Sequence, residues 1–188
     1  MNTSPAMRLF SSPCRALVGL IPVLVALCLT SMTAWAQPLD VTPAEASEPA
    51  QPMADLVVVL KSDRVLYLYS DGMVIGQYPI ALGKNPVGTK QQRGDNKTPI
   101  GAYTLDWRNP QSIFHRSIHV SYPDADDIAA AQARGQDPGD MIMIHGEPDY
   151  DDRQRRGDWT NGCIAVSNAA IDEIWSHVAD GTRIHIYP

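Results

Sequence analysis

The sequence is poor in cysteine, in phenylalanine and in positive charge. Its 188 residues include three cysteines and two phenylalanines, and 15 Lys and Arg face 21 Asp and Glu. So few cysteines exclude a disulfide-stapled scaffold, and no C-x-x-C pair is present to act as a redox couple. The acidic balance makes nonspecific nucleic-acid or anionic-membrane binding a poor fit. No phosphate loop is present either: the run GKNPVGTK, Gly83 to Lys90, has Thr-Lys where Lys-Ser/Thr is required, so it reads as a flexible connection lining a groove. Low-complexity sequence is confined to one stretch, and 44% hydrophobic residues are enough for one domain with a core.

What is present begins with Arg8 and Arg15 ahead of an apolar run from Ala16 to Leu29 and the small-x-small triplet Ala34-Trp35-Ala36. Residues 1–36 are therefore expected to be a cleavable signal peptide, and export to the periplasm follows. A retained anchor is the alternative, disfavoured because the apolar run is short for a membrane span. Cys28 follows Leu27, which argues against a lipoprotein signal. Cleavage would remove Arg8 and Arg15 and no acids, taking the formal charge from −6 to −8. It would also remove Cys14 and Cys28, leaving Cys163 as a single thiol in a disulfide-forming compartment. Residues 37–54, rich in Pro, Ala, Ser and Glu, read as a disordered linker, and 55–188 as one domain.

Within that domain β-type runs at 56–60, 65–69, 74–82, 101–107, 117–122 and 141–145 are separated by turn residues such as Ser70-Asp71-Gly72. Residues 124–134 read as a helix capped by Asp124. A second helix follows the Ser167-Asn168 cap, with Ile171, Ile174, Trp175 and Val178 on one stripe, and Asp180-Gly181 is expected to stop it before a last strand, 183–187. The class is mainly β with two short helices.

A thiol attacks as thiolate, so a working cysteine needs a base within reach and a group that orients the base. His145 ends one apolar run at Gly146, and Cys163 starts another after Gly162. Two adjacent strands joined by the polar loop from Glu147 to Trp159 would bring the pair together. Gly162, lacking a Cβ, would let a substrate carbonyl approach main-chain N–H groups, that of Cys163 above all. The alternatives are a buried packing cysteine and a satisfied core histidine.

His145-Gly146, the intervening loop and Thr160-Asn161-Gly162-Cys163 resemble the signature of the YkuD-type L,D-transpeptidases, a histidine followed one loop later by Ser/Thr-His-Gly-Cys. The run ALGKNPVGTKQQRGDNKTPIGAYTLDWRNP also looks like that domain, and GCIAVSN looks like its YafK-like branch. The resemblance implies a β-sandwich or mixed-sheet catalytic domain acting on peptidoglycan stem peptides, or on a lipoprotein linked to the wall, as a monomer without metal or cofactor. It implies Cys163 as nucleophile, His145 as general base and acid, the Gly146 carbonyl as orienter of His145, and Gly162 in the oxyanion region. Thr160 would brace the loop, with an ordinary turn threonine as the alternative. Thr160, Asn161, Trp159 and Arg156 are the expected substrate contacts, with Arg153 and Arg155 in the same basic loop; a solvated loop balanced by Asp149, Asp151 and Asp152 is the bland reading. Asn161 and Ala165 stand where the family usually has His and Arg or Asn, so transpeptidation and hydrolysis both stay open. Trp107 and Trp175 are expected in the core, and His177 and His185 on the surface.

Overall fold

The computed structural model describes residues 51–150 and 155–188. The expected signal peptide, almost all of the expected linker, and Asp151, Asp152 and Arg153 lie outside the described residues.

Eight strands and two helices follow in the order β1 (Ala54–Leu60), β2 (Val65–Ser70), β3 (Met73–Pro79), β4 (Gly101–Ser112), β5 (His115–Val120), α1 (Ala125–Ala133), β6 (Met143–His145), β7 (Ile164–Ala165), α2 (Asn168–His177) and β8 (Val178–Tyr187). All strands join one mixed sheet in the order β3-β2-β1-β8-β4-β5-β6-β7. The last strand is inserted in the middle: β8 runs parallel to β1 and antiparallel to β4. The sheet also curls back on itself, since Ala81, just past β3, exchanges two 2.8 Å backbone hydrogen bonds with Ala165 of β7 at the other edge.

Alternation decides the faces. Val57 and Val59, Leu66 and Leu68, Ile184 and Ile186, Ile144 and Ile164 all point into one buried cluster with Ile171 and Ile174 of α2. Each strand's intervening residues therefore face away from that core. Asp124 caps α1 through the N–H groups of Asp126 and Asp127, and Ser167 caps α2 through Ala170.

Three expectations are corrected here. The second helix stops at His177, not at Asp180-Gly181, because β8 starts at Val178 and carries those residues in the register shift between its Val178 and Arg183 pairings with β1. His177 is buried rather than on the surface, and its Nδ1–H donates to the Pro52 carbonyl at 2.8 Å. Trp107 is not in the core; it is 38% exposed. Trp175 does pack against the core, with the Arg108 guanidinium 4.9 Å above its ring.

Candidate active site

β6 and β7 are adjacent and parallel, with Ile144 opposite Ile164 and His145 opposite Ala165. Because both isoleucines enter the core, His145 and Cys163 share the opposite face, two residues apart along the pair. That diagonal puts their α-carbons roughly 8 Å apart, within reach of converging side chains. Both side chains line one cleft of about 660 Å³, walled by Trp107, Phe114, Met141, Tyr150, Arg155 and Trp159.

His145 is held by chemistry that sets its tautomer. Its Nδ1 lies 2.7 Å from the Gly146 carbonyl, which only accepts, so Nδ1 carries the proton and Nε2 keeps its lone pair. The ring lies against Phe114 (4.5 Å between centroids) and edge-on to Trp159 (5.6 Å). This burial lowers the imidazole's proton affinity, and the Gly146 hydrogen bond only partly opposes it. Gly146 is fixed in turn: a Cβ there would meet Asn168 Oδ1 at 2.5 Å, and that oxygen accepts the Glu147 N–H at 2.7 Å. Asn168, read from sequence only as part of a helix cap, thus also supports the segment that aims the imidazole.

Cys163 opens onto the cleft, yet protein packs closely around its sulfur. That burial pushes the thiol's pKa up, against smaller opposing effects of the Met143 N–H and the Lys90 ammonium. The thiol's hydrogen-bond partner is the Met141 carbonyl, 3.5 Å away. Histidine shifted down and cysteine shifted up both favour a neutral thiol beside a neutral imidazole over a thiolate–imidazolium pair. A thiol in that form would have to lose its proton during any attack. Two pH signatures are expected. Alkylation of Cys163 by iodoacetamide should stay slow through neutral pH and accelerate only above the usual cysteine range. The acid limb of kcat/KM should fall below the usual histidine range, since Nε2 must be unprotonated. Stopped-time mass spectrometry and a pH–rate profile measure them; a thiol fully reactive at pH 6 contradicts the neutral pair.

The turn before the cysteine is tightly built. Asp158 accepts from Arg64 (2.7 Å) and from the Leu82 N–H (2.9 Å). Burial opposes ionisation of Asp158, but these partners hold its carboxyl below the usual range. Thr160 is buried; its Oγ1 donates to the Cys163 carbonyl (2.7 Å) and accepts from the Gly162 N–H (3.1 Å). Thr160 engages its hydroxyl within the turn, as expected of a brace, and it also lines the cleft. The Gly162 N–H is likewise committed, so what Gly162 gives the oxyanion region is space and backbone shape, at φ 139°.

Asn161 is exposed at the cleft, where Lys84 Nζ donates to its Oδ1 at 3.1 Å. Lys84 belongs to the segment read as a flexible groove wall. It lines the cleft as expected, but the segment is pinned: buried Lys61 donates to the carbonyls of Gly88 (2.6 Å) and Thr98 (2.7 Å). Burial and the nearby cations Lys97 and Arg64 bring the Lys61 pKa down to about 8. Two arginines of the basic loop, Arg155 and Arg156, are among the described residues. Arg156 is exposed and away from the cleft lining, whereas Arg155 lines it, with its guanidinium 4.9 Å over Trp159 and 3.9 Å from Glu147. Of these two arginines, it is Arg155 and not Arg156 that lines the cleft. A second cleft, about 360 Å³, is also lined by Cys163, together with Lys90, Arg93, Asp140, Met141 and Asn161.

His115 and His119 do not converge: His115 pairs with Asp172 (2.9 Å) and His119 with Asp106 (2.6 Å). The Arg93-Gly94-Asp95 tripeptide is internally engaged, Arg93 with Asp137 and Asp95 with Lys90.

A curled mixed sheet here presents a Cys-His pair beside a Thr-x-Gly-Cys turn at one cleft. The model of the YkuD family, the L,D-transpeptidase catalytic domain, matches residues 54–186, and the chain belongs to that family. YafK of Escherichia coli, named for an L,D-transpeptidase, is 30% identical over 146 residues, covering 70% of this chain and 53% of YafK. The chain thus spans about half the length of the curated relatives it matches. Among solved structures, the helical cell shape determining protein Pgp2 of Campylobacter jejuni superposes with a TM-score of 0.56 at 26% identity, over 71% of this chain and 47% of Pgp2. Bd1075 of Bdellovibrio bacteriovorus shares the fold, with a TM-score of 0.52 at 24% identity over 73% of this chain and 51% of its own.

Proposed function

We propose that the protein is an exported, cysteine-dependent L,D-transpeptidase acting on peptidoglycan stem peptides. The observation that carries this reading is the shared face of Cys163 and His145 at the cleft floor, with the imidazole locked by the Gly146 carbonyl. In the proposed cycle Cys163 rotates from the Met141 carbonyl towards Nε2 and loses its proton to it as sulfur attacks the peptide carbonyl. The oxyanion forms over Gly162, with the Cys163 N–H as donor. Collapse breaks the C–N bond; Nε2 returns the proton to the leaving amine, and a thioester remains. An incoming amine then gives a new amide, its proton again passing through His145 to the released thiol.

Water in place of the amine gives a shortened stem, or releases a wall-linked lipoprotein. Asn161 and Ala165 favour keeping this hydrolytic reading, since Asn161 cannot titrate and Ala165 is buried in the bridge to Ala81. The second cleft beside the thiol, with its charged lining, favours an acceptor larger than water and so the transpeptidase. The likeness to a cell-shape-determining protein supports a cell-wall substrate for either.

Purified protein given disaccharide tetrapeptide should produce cross-linked dimers or exchanged terminal D-amino acids, with a covalent Cys163 adduct by mass spectrometry. A shortened stem alone would replace transpeptidation by hydrolysis. No adduct and no product from stem peptide or lipoprotein-linked muropeptide would leave a noncatalytic wall-binding domain.

Arg155 is assigned the recognition of a stem-peptide carboxylate, because a guanidinium fixed against Trp159 presents a preoriented fork. Arg155→Ala should raise KM by about tenfold, the worth of one charge-assisted contact, while Arg156→Ala stays within about twofold of the parent. Equal effects of the two substitutions in steady-state kinetics would remove the assignment.

A further inference from the structure

The cleft wall contains a large aromatic residue that the core does not use. Trp107 lies where β4 has run past its pairing with β8, which covers only Gly101 to Leu105. Beyond that point β4 pairs with β5 alone, with register shifts between Leu105 and Arg108 and between Asn109 and Ser112. On this edge segment the Trp107 ring stacks on His119, centroids 4.8 Å apart and planes 14° from parallel. His119 is itself fixed by Asp106, 2.6 Å from its Nδ1. One indole face is thus covered and the orientation set, while the residue stays 38% exposed and lines the cleft that holds Cys163.

Asn109 and Gln111 line the same cleft. Asn109 Oδ1 accepts the Gln111 N–H at 2.9 Å, which leaves the Asn109 amide N–H groups uninvolved in that bond. A rigid aromatic plate flanked by neutral carboxamides suits a particular chemistry. The negative π face attracts the positively polarised C–H face of a pyranose ring, and carboxamides both donate to and accept from its hydroxyls. Neither group selects for charge.

We propose that Trp107, Asn109 and Gln111 form a saccharide subsite that seats a sugar ring of the glycan to which the stem peptide is attached. The identity of the glycan rests on the function proposed above; the stacking chemistry does not. The subsite would anchor the wall strand while the peptide runs along the cleft towards Cys163.

The test separates the two readings. The full chain carrying Cys163→Ala is titrated with a β-1,4-linked N-acetylglucosamine oligomer while the indole N–H signals are followed by NMR. The parent and Trp107→Ala are compared on disaccharide tetrapeptide and on free tetrapeptide. Saturable binding that Trp107→Ala abolishes and Asn109→Ala or Gln111→Ala weakens is expected. In kinetics, kcat/KM should favour the disaccharide substrate by about tenfold, a usual worth for one stacked ring, and Trp107→Ala should bring that ratio to about one. An oligomer that does not bind, or binds Trp107→Ala as well, overturns the proposal. So does a ratio unchanged by Trp107→Ala, which would make the indole a platform for the peptide. If neither substrate reacts, the function proposed above fails, and the titration alone decides the saccharide subsite.

Discussion

Cys163→Ala is expected to eliminate both the covalent adduct and every acyl-transfer or hydrolysis product, because no other nucleophile faces His145 on the β6–β7 pair. His145→Gln should keep the fold and cut kcat by roughly 100- to 10,000-fold, the usual contribution of a positioned general base. The glutamine keeps a polar side chain in the pocket between Phe114 and Trp159 but has no lone-pair nitrogen to take the thiol's proton. The two losses should differ in kind. Cys163→Ala gives no thioester at any pH, whereas His145→Gln should regain rate as alkaline pH ionises the thiol without a base. Intact-mass spectrometry and chromatography of muropeptide products over a pH series measure both. A His145→Gln enzyme with parental kcat at neutral pH would mean that another group takes the proton.

The second large effect is expected at Gly162. Its φ of 139° belongs to glycine, and a Cβ there would stand 2.8 Å from the Lys97 carbonyl and 3.2 Å from Ile142 Cδ1. The obstacle at Lys97 is backbone, held by the loop that Lys61 pins, so it cannot swing aside. Gly162→Ala then combines strained dihedrals, about 1–3 kcal/mol, with overpacking of similar size. For a domain with only about 5–15 kcal/mol to lose, the melting temperature should drop by about 10 °C. Activity should fall further than stability, because relief of the clash moves the Thr160 to Cys163 turn and with it the sulfur. Calorimetry and single-turnover acylation at a temperature where the variant is folded separate the two. A variant that is stable and fully active would show that the turn relaxes without cost.

Much of this site was legible in the sequence because it depends on local pattern. Period-two alternation reports which residues share a face, so MIMIH and GCIAV already put Met143 with His145 and Cys163 with Ala165. Ser167 and Asp124 announce helix starts because a side-chain oxygen next to unsatisfied N–H groups is a local solution. The end of α2 was misread because Asp180-Gly181 is an ordinary stop signal, whereas Val178 is already claimed by strand pairing with β1. Trp107 was misread for a similar reason: its hydrophobicity suggests the core, but β4 outruns β8 and has nothing to bury it. No property of the basic loop's sequence distinguishes Arg155 from Arg156. Only the position of Trp159 does.

The sequence by itself determined the chemical identity of the pair, Cys163 and His145, the glycines that shape their turns, and a mainly β class, because each is a property of a residue and its near neighbours. The tertiary structure decided that β8 enters between β1 and β4, that the Gly162 N–H is spent on Thr160, that Arg155 rather than Arg156 reaches the cleft, and that Trp107 faces outward. Those outcomes are set by contacts between residues far apart in the chain, and periodicity can say which face a residue takes but not what covers it.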